Sequence, residues 1–344
     1  MARILITGGA GFIGCNAARR LMNRGDKVTV VDNLSRKGTD LNLAWLREQG
    51  DFDFLQADLR DAKAMQEAVG RYSELDAVLH LAAQVAVTTS VADPREDFDI
   101  NALGTFNVLE AVREAPCDPT FVYASTNKVY GGMEEVAVEE RDGRYGYRDL
   151  TGGVPEHQPL DFHSPYGCSK GAADQYVRDY ARIYGLKTVV FRQSCIYGYR
   201  QLGVEDQGWV AWFTIASVLH KPIVLYGDGK QVRDLLFIDD LVDAYLVAVD
   251  RPELVSGKVF NLGGGPDNVL SLLELLDLLK ELNEREMQTS YDDWRPGDQR
   301  VFVCDIGLAA RELDWKPKVG TAEGVRKLHA WVVENRKMLE GAFS

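Results

Sequence analysis

Apolar runs and helical stretches alternate along the first part of the chain, and this alternation predicts a layered α/β fold. Ile4-Leu5-Ile6 is a short apolar run of the kind found in buried parallel strands. A segment with helical periodicity follows it and ends at Gly25, and Val28 to Val31 forms a second apolar run. Two such runs joined by a helix are typical of a βαβ unit.

The same alternation continues beyond the first unit and predicts a Rossmann-type, doubly wound parallel sheet. Further strands are predicted at Phe52 to Leu55, Ala77 to Leu81, Thr120 to Ala124, Val189 to Arg192 and Val259 to Leu262. A helix is predicted from Ser164 to about Tyr184. We assign residues 1–193 to a dinucleotide-binding domain, to which a later segment at about 233–264 returns, and residues 194–344 to a smaller mixed α/β domain.

Three glycines lie between the first predicted strand and the first predicted helix: Gly8, Gly11 and Gly14. Glycines there let the backbone close around a pyrophosphate, whose charge the helix N-terminus stabilises. Asp32 ends the second strand, where a carboxylate accepts hydrogen bonds from the ribose hydroxyls of an adenosine. A carboxylate repels a 2′-phosphate, so Asp32 favours NAD, although two basic residues follow closely at Arg36 and Lys37. The alternative interpretation is a tight turn in another α/β protein.

Composition excludes several classes of partner. The 344 residues carry a formal net charge of −13, which argues against nucleic acid and anionic membrane as partners. No apolar run is long enough to cross a bilayer, and Met1 leads into a strand without a signal-peptide pattern. The five cysteines show no paired spacing and the five histidines no metal-ligand pattern. We therefore expect a cytoplasmic protein without a metal site.

The helix predicted at Ser164 carries Tyr166 and Lys170, four residues apart and therefore on one helix face. A lysine ammonium, together with a positive nicotinamide, favours the phenolate and lowers a tyrosine pKa from about 10 towards neutrality. Such a tyrosine takes a proton from a substrate hydroxyl while the hydride leaves for NAD. Thr126, at the end of a predicted strand, would hydrogen-bond the same hydroxyl. The alternative interpretation of Tyr166 and Lys170, taken without the other motifs, is a pair of exposed side chains on the helix surface.

The glycine spacing, Thr126 and the Tyr166–Lys170 pair resemble the extended type of the short-chain dehydrogenase/reductase superfamily, over nearly the whole chain. The resemblance implies tightly held NAD that is recycled in each turnover, a nucleotide-diphosphate sugar as substrate, and a homodimer or homotetramer. It implies that Thr126, Tyr166 and Lys170 are catalytic. The implied cofactor contacts are Gly8, Gly11, Phe12, Ile13, Gly14, Asp32, Asn33, Ser35, Arg36, Asp58, Leu59, Leu81, Ala82, Ala83, Tyr166 and Lys170.

Two features narrow the choice within the superfamily. Nucleotide-sugar 4,6-dehydratases resemble the chain but carry Asp-Glu directly after the threonine, where this sequence has Asn127 and Lys128. An amide and an ammonium cannot perform that acid–base elimination. Long strings around Thr126, around Tyr166 and at residues 206–210 resemble the CDP-paratose 2-epimerases, also called CDP-tyvelose epimerases. The implied reaction is inversion at C2 of a nucleotide-linked hexose, and CDP is the favoured nucleotide. A variant of this reaction converts CDP-glucose or GDP-glucose to the corresponding mannose derivative. A UDP-sugar 4-epimerase is the alternative, and a non-catalytic dinucleotide sensor a remote one.

The same resemblance implies a set of substrate contacts. Arg233, and Arg295 within residues 294–298, resemble two arginine motifs that bind the substrate diphosphate. Guanidinium groups bind phosphates through paired hydrogen bonds, so two of them can anchor one diphosphate. Cys195 stands where 4-epimerases carry an asparagine, which argues against that activity. The implied substrate contacts are Gln84, Thr126, Asn127, Cys195, Gln207, Gly208, Trp209, Arg233, Arg295 and Asp298.

Overall fold

The computed structural model describes residues 1–295 and 298–343, which fold around a seven-stranded parallel sheet. The strands in this part of the chain are β1 (Arg3–Thr7), β2 (Lys27–Asp32), β3 (Asp53–Gln56), β4 (Ala77–His80), β5 (Thr120–Thr126), β6 (Val138–Arg141), β7 (Arg144–Tyr147), β8 (Thr188–Gln193), β9 (Cys195–Tyr197), β10 (Ile223–Tyr226), β11 (Val232–Phe237), β12 (Lys258–Leu262), β13 (Val269–Ser271), β14 (Thr289–Asp292) and β15 (Val301–Phe302).

Helices cover both faces of the sheet and surround the smaller sheets. They are α1 (Phe12–Asn23), α2 (Thr39–Gln49), α3 (Ala62–Gly70), α4 (Val87–Ala92), α5 (Pro94–Phe98), α6 (Gly104–Arg113), α7 (Ser164–Tyr184), α8 (Trp209–Val218), α9 (Ile238–Asp250), α10 (Pro252–Val255), α11 (Leu272–Asn283), α12 (Gly307–Leu313), α13 (Thr321–Glu334) and α14 (Arg336–Ala342). A π-helical turn (Asp99–Leu103) joins α5 to α6 without a break, and a 3-10 turn (Asn127–Tyr130) follows β5.

The large sheet has the strand order β12-β8-β5-β4-β1-β2-β3, and its strands are parallel. The chain begins in the middle at β1, runs to one edge, then returns to β4 and runs to the other edge. This reversal opens a crevice at the carboxyl ends of β1 and β4, where ligands bind in sheets of this type. The predicted Rossmann-type fold is confirmed, and the predicted strands and helix recur within one or two residues.

Alternating side chains of β1 explain why this strand reads as a continuous apolar run. Ile4 and Ile6 pack into a hydrophobic core shared with α1, whereas Leu5 packs into a second core shared with α3, α6 and α7. Both sides of the strand are therefore withdrawn from water, which is the main driving force for forming such a sheet.

The second half of the chain builds smaller sheets but also contributes to the large one. β11 pairs in parallel with β9 and β15 and antiparallel with β13, which makes a small mixed sheet. β10 pairs with β14, and β6 with β7. β12, within the segment predicted to return, lies beside β8 at the edge of the large sheet. The division of the chain at residues 193 and 194 stays a prediction. Within the described ranges, no helix combines the length and apolar character needed to span a bilayer.

Candidate active site

The turn between β1 and α1 is made by glycines that cannot be replaced without movement of the backbone. Gly8 has φ +69°, and a Cβ added to it would lie 2.6 Å from the amide nitrogen of Ala82 at the end of β4. A Cβ on Gly14 would lie 2.3 Å from the carbonyl oxygen of Gly8. Such a close approach lets α1 begin at the crevice, so its N-terminal amides face any anion bound there.

A cleft runs over this turn, and its wall contains fourteen of the predicted cofactor contacts. They are Gly8, Gly11, Phe12, Ile13, Gly14, Asp32, Asn33, Ser35, Arg36, Asp58, Leu59, Leu81, Ala82 and Ala83. The structure thus brings these residues together as predicted, while their roles towards a cofactor stay proposals.

Two carboxylates lie on the cleft wall. Asp32 accepts hydrogen bonds from the backbone amides of Ala10 (3.1 Å) and Leu34 (2.8 Å), and burial raises its pKa. Asp58 accepts from the side chains of Arg60 and Asn33, and the bonds from Arg60 hold its pKa below the usual range. Asp61, not Asp58, caps helix α3, and its side chain accepts from the Ala64 amide at 3.1 Å, so Asp58 remains on the cleft wall.

A later segment, residues 199–207, covers one end of the cleft, and the sequence did not reveal this. Arg200, Gln201 and Leu202 line the cleft together with Asn42 of α2, although more than 150 residues separate them in the chain. Gln207, predicted to contact substrate, also lies on this wall and accepts a hydrogen bond from Arg36. The amide oxygens of Asn42 and Gln201 are buried without a partner in the described part of the chain.

The three predicted catalytic side chains come from two adjacent elements. Thr126 ends β5, and its hydroxyl lies close enough to the phenol of Tyr166, in the first turn of α7, to influence the pKa of that phenol. Lys170, one turn further along α7, donates from Nζ to the carbonyl oxygen of Ala124 at 2.7 Å and lies 4.3 Å above the ring of Tyr123. All three of these side chains are buried, so the hydroxyl, the phenol and the ammonium are withheld from bulk water.

Burial dominates the electrostatics of this group. The pKa of Tyr166 is raised to about 12, because burial disfavours the phenolate and Asp97 adds repulsion, while Thr126 and Arg36 act in the opposite direction. Burial lowers the pKa of Lys170 to about 7, against the attraction of Asp174 and Asp97. The chain's own residues taken together raise the pKa of Tyr166, and its predicted lowering, which includes the charge of the nicotinamide, stays a prediction.

Helix α7 is held in place by the long helix that contains the π-helical turn. Asp97, the fourth residue of α5, accepts hydrogen bonds from Ser169 of α7 (2.5 Å) and from Asn101 within the π-helical turn (3.0 Å). Asn101 also bonds the backbone of Gln84 in both directions. The side-chain amide of Gln84, predicted to contact substrate, is engaged by Ala86 and by Asp97. π-Helical turns are frequent at functional sites, and here the turn places Asn101 against α7, where its side-chain amide donates to Ser169 at 3.3 Å.

Several predicted substrate contacts gather near the end of β5. Cys195, at the start of β9, is half-buried beside Trp209 and Arg233, and desolvation of the thiol raises its pKa to about 12. Gly208 has φ +81° and precedes α8, which begins at Trp209. Asn127 opens the 3-10 turn directly after Thr126. The structure brings these residues from four distant parts of the chain to one region.

Arg295, the second predicted diphosphate contact, has its own set of partners. Its guanidinium lies 3.7 Å from the ring centre of Tyr226, donates to the backbone oxygen of Glu205 at 3.2 Å and pairs with Asp206 at 3.4 Å. Asp298 is placed near Lys128, whereas Pro296 and Gly297 of the same motif lie outside the described residues. Convergence of Arg233 and Arg295 on one diphosphate stays a prediction.

Lys128 is a further candidate site residue. The sequence drew attention to it only because the 4,6-dehydratases that the chain resembles carry a glutamate at this position. It lies close enough to Arg233 and Asp298 for their charges to affect it, and burial together with Arg233 lowers its pKa to about 8. Its position two residues after Thr126 was the signal from which the sequence could have placed it at the site. In the described ranges, no cluster of three or more histidine, cysteine, aspartate or glutamate side chains is arranged to hold a metal ion.

The cleft fits a dinucleotide on structural grounds. The close approach at Gly8 and Gly14 leaves room for a pyrophosphate, Asp32 offers acceptors for a ribose, and unpartnered amide oxygens remain at the covered end. Arg36 connects this cleft electrostatically to Tyr166. A cleft of this kind beside a Thr-Tyr-Lys group defines an extended short-chain dehydrogenase/reductase. The sequence profile of the NAD dependent epimerase/dehydratase family matches residues 4–263, and the chain belongs to that family.

Comparison with individual proteins places the chain among nucleotide-sugar epimerases. It is 46% identical to the CDP-paratose 2-epimerase of Salmonella typhi over 96% of this chain and 98% of that protein. The UDP-glucose 4-epimerase of Thermotoga maritima, solved with UDP-glucose, is 31% identical, with a TM-score of 0.82 over 98% of this chain and 99% of that one. DesIV of Streptomyces venezuelae, a dTDP-glucose 4,6-dehydratase solved with NAD, is 28% identical, with a TM-score of 0.84 over 99% of both chains. The protein is an NAD-dependent nucleotide-sugar epimerase of the extended short-chain type.

Proposed function

We propose that this enzyme inverts C2 of a CDP-linked hexose, interconverting CDP-paratose and CDP-tyvelose or closely related sugars. The observation that carries the proposal is the 46% identity to a CDP-paratose 2-epimerase, against 31% for a putative UDP-glucose 4-epimerase and 32% for a dTDP-glucose 4,6-dehydratase. Asn127 and Lys128 after the catalytic threonine support it, because they cannot serve as the acid–base pair of a dehydratase.

The proposed chemistry starts with proton removal by Tyr166. Its phenolate accepts the proton of the C2 hydroxyl, which Thr126 orients by a hydrogen bond, and Lys170 stabilises the negative charge. NAD held in the cleft over the β1–α1 turn would supply a reversible hydride acceptor, so the reaction would have no net oxidation. The intermediate 2-keto sugar presents its other face, and Tyr166 gives the proton back to the oxygen as the epimer forms. The phenol pKa of about 12 in the chain alone means that lowering it falls largely to the positive nicotinamide.

We further propose that residues 194–344 provide most of the nucleotide-sugar site. Arg233 and Arg295 would bind the diphosphate, with Asp298, Trp209 and Cys195 around the nucleotide and sugar. Arg295 would exchange its pairing with Asp206 for the substrate phosphates. Binding through the nucleotide leaves the sugar free to turn over between the two hydride transfers.

A UDP-sugar 4-epimerase is the second candidate, because a protein with that description, the 4-epimerase of Thermotoga maritima, shares the fold. The two candidates differ in the carbon that is oxidised, so product identity separates them. Cys195 disfavours the 4-epimerase, since the resemblance places an asparagine there in such enzymes.

The test uses purified protein without added cofactor, incubated separately with CDP-paratose, CDP-glucose, GDP-glucose and UDP-glucose. After hydrolysis, the released sugars are identified by chromatography. Tyvelose or mannose would establish C2 inversion with bound NAD and name the preferred base. Galactose from UDP-glucose, without any C2 epimer, would overturn the proposal in favour of the second candidate.

We also propose that the enzyme is a homodimer. Helices α6 and α7 present aromatic side chains to solvent, and Tyr176, Ile183 and Tyr184 are 51, 66 and 54% exposed. Phe106 of α6 meets Tyr176 edge-on with ring centres 5.8 Å apart, which makes the patch continuous. A patch of this size is typical of an interaction surface. Light scattering should give twice the chain mass for the native protein and a monomer for Ile183→Glu; a monomeric native protein would contradict the proposal.

A further inference from the structure

The carboxylate of Asp97 is buried beside the catalytic helix and has no place in the mechanism described above. It is 1% exposed, and Oδ1 accepts hydrogen bonds from Gln84 and Asn101 at 3.0 Å each, while Oδ2 accepts from Ser169. Burying a carboxylate is costly unless its charge and hydrogen bonds are satisfied. A serine and two amides satisfy the hydrogen bonds, but the charge faces a cation one residue beyond Ser169.

That cation is Lys170, which is enclosed and 4% exposed. The titratable groups facing it come from four elements: Asp97 of α5, His80 of β4, Tyr123 of β5, and Tyr166 and Asp174 of α7. Burial lowers the pKa of His80 to about 3 and raises that of Tyr123 well above its usual value, so both are neutral. The negative charge near the lysine therefore comes from the two aspartates.

The two aspartates differ in what else they bind. Asp174 is bridged to Arg192 by hydrogen bonds of 2.9 and 3.1 Å, and both side chains are buried, so a nearby guanidinium balances its charge. The polar partners of Asp97 are a hydroxyl and two amides, which carry no charge. The field of Asp97 at Lys170 is thus less compensated, because no guanidinium or ammonium among the described residues bonds the Asp97 carboxylate directly.

We propose that Asp97 is a positioning residue, which fixes Ser169 and Gln84 and keeps the ammonium form of Lys170 available to hold NAD. This inference rests on the role proposed for Lys170. It extends the Thr126, Tyr166 and Lys170 group by a residue from a separate helix, α5, which Asn101 of the π-helical turn holds through a hydrogen bond. Since Asp97 also raises the pKa of Tyr166, removal of its charge shifts both titrations in the same direction, towards lower pH.

The test is the pH dependence of the NAD dissociation constant, measured by calorimetry from pH 6 to 9. Lys170 has a pKa of about 7 in the chain alone, so affinity should weaken above neutral pH as the ammonium is lost. Lys170→Met should remove this transition and so identify it. Asp97→Asn, which keeps the size of the side chain, should move the midpoint down by about one pH unit and weaken binding at pH 8 by up to about tenfold.

Two variants serve as controls. Glu96→Gln removes the same charge from the neighbouring residue, whose side chain is 48% exposed, and should titrate like the native protein. Asp97→Glu restores the charge and should return the midpoint most of the way. The inference would be overturned if the NAD-binding transition were lost in Lys170→Met but had the same midpoint in Asp97→Asn as in the native protein. That result would leave the proposed reaction untouched. A transition that survives in Lys170→Met would overturn the lysine's role together with this inference.

Epimerisation supplies a second measurement. Both limbs of the pH–rate profile should move to lower pH in Asp97→Asn, because the loss of one negative charge lowers the pKa values of both neighbours. A merely structural defect would lower the rate at every pH without moving either limb, and that result would also overturn the inference.

Discussion

The cleft over the β1–α1 turn (the cofactor side) and the proposed substrate region (the substrate side) are built in different ways. On the cofactor side, Gly8, Gly14 and Asp32 lie within one βαβ unit, and backbone atoms make much of the surface. On the substrate side, Cys195, Arg233 and Arg295 come from separate segments, and side chains make the surface. A surface made of backbone suits a ligand that never changes, whereas one made of side chains can be altered one residue at a time. The comparison therefore separates what the family shares from what distinguishes its members.

The largest expected effect lies where the two sides meet. Tyr166→Phe should lower turnover by at least about 10³-fold, because the proton acceptor is lost, while NAD binding stays within a few-fold of native. Product formation and bound NAD would be measured on the same preparation. The matched control is Tyr176→Phe on the exposed part of the same helix, which should keep full activity. Near-native turnover in Tyr166→Phe would rule the tyrosine out as the base.

A change to the backbone surface should damage the cofactor side. Gly14→Ala places a methyl group 2.3 Å from the Gly8 carbonyl, so the turn must open, and NAD affinity should fall by about 100-fold. Calorimetric titration with NAD measures the effect. Gly70→Ala, where an added Cβ meets no atom within 4 Å, is the control and should bind NAD normally. Native affinity in Gly14→Ala would mean that the cleft does not hold the pyrophosphate at this turn.

A change to the side-chain surface should leave the cofactor in place. Arg295→Ala should raise the KM for the nucleotide sugar by about tenfold to 100-fold, because one charged partner of the diphosphate is lost. NAD content should not change. Arg300→Ala removes a nearby guanidinium that lies over Tyr145 and should leave KM unchanged. Equal KM values for Arg295→Ala and the native enzyme would remove this arginine from the substrate site.

The smallest expected effect concerns the contact between the two sides. Gln207→Ala removes the acceptor for Arg36, and NAD should dissociate about two- to fivefold faster, since the contact is exposed to solvent. Stopped-flow measurement of NAD release tests this. An unchanged rate would show that the segment 199–207 covers the cofactor without holding it through this bond.

The same difference explains which features the sequence could predict. Residues 8–32 are local, so spacing alone gave their arrangement, and the four-residue interval placed Tyr166 and Lys170 on one face. Arg200, Gln201 and Leu202 could not be assigned to the cofactor cleft, because only the tertiary fold brings them there. The burial and the Asp97 charge that raise the pKa of Tyr166 were out of reach for a related reason, because they come from other elements, which no local spacing reveals.

The return of β12 to the large sheet bears on how enzymes of this kind diversify. Its five residues pair with β8 from Val189 to Gln193, which is all of that strand except Thr188, although they lie in the chain between β11 and β15 of the small sheet. A genetic crossover that exchanged everything after residue 193 would carry away an edge strand of the cofactor sheet and expose the apolar flank of β8. Inheritance of the two halves is thereby linked, and new sugar preferences are expected to arise from point substitutions and short loop changes rather than from shuffled modules.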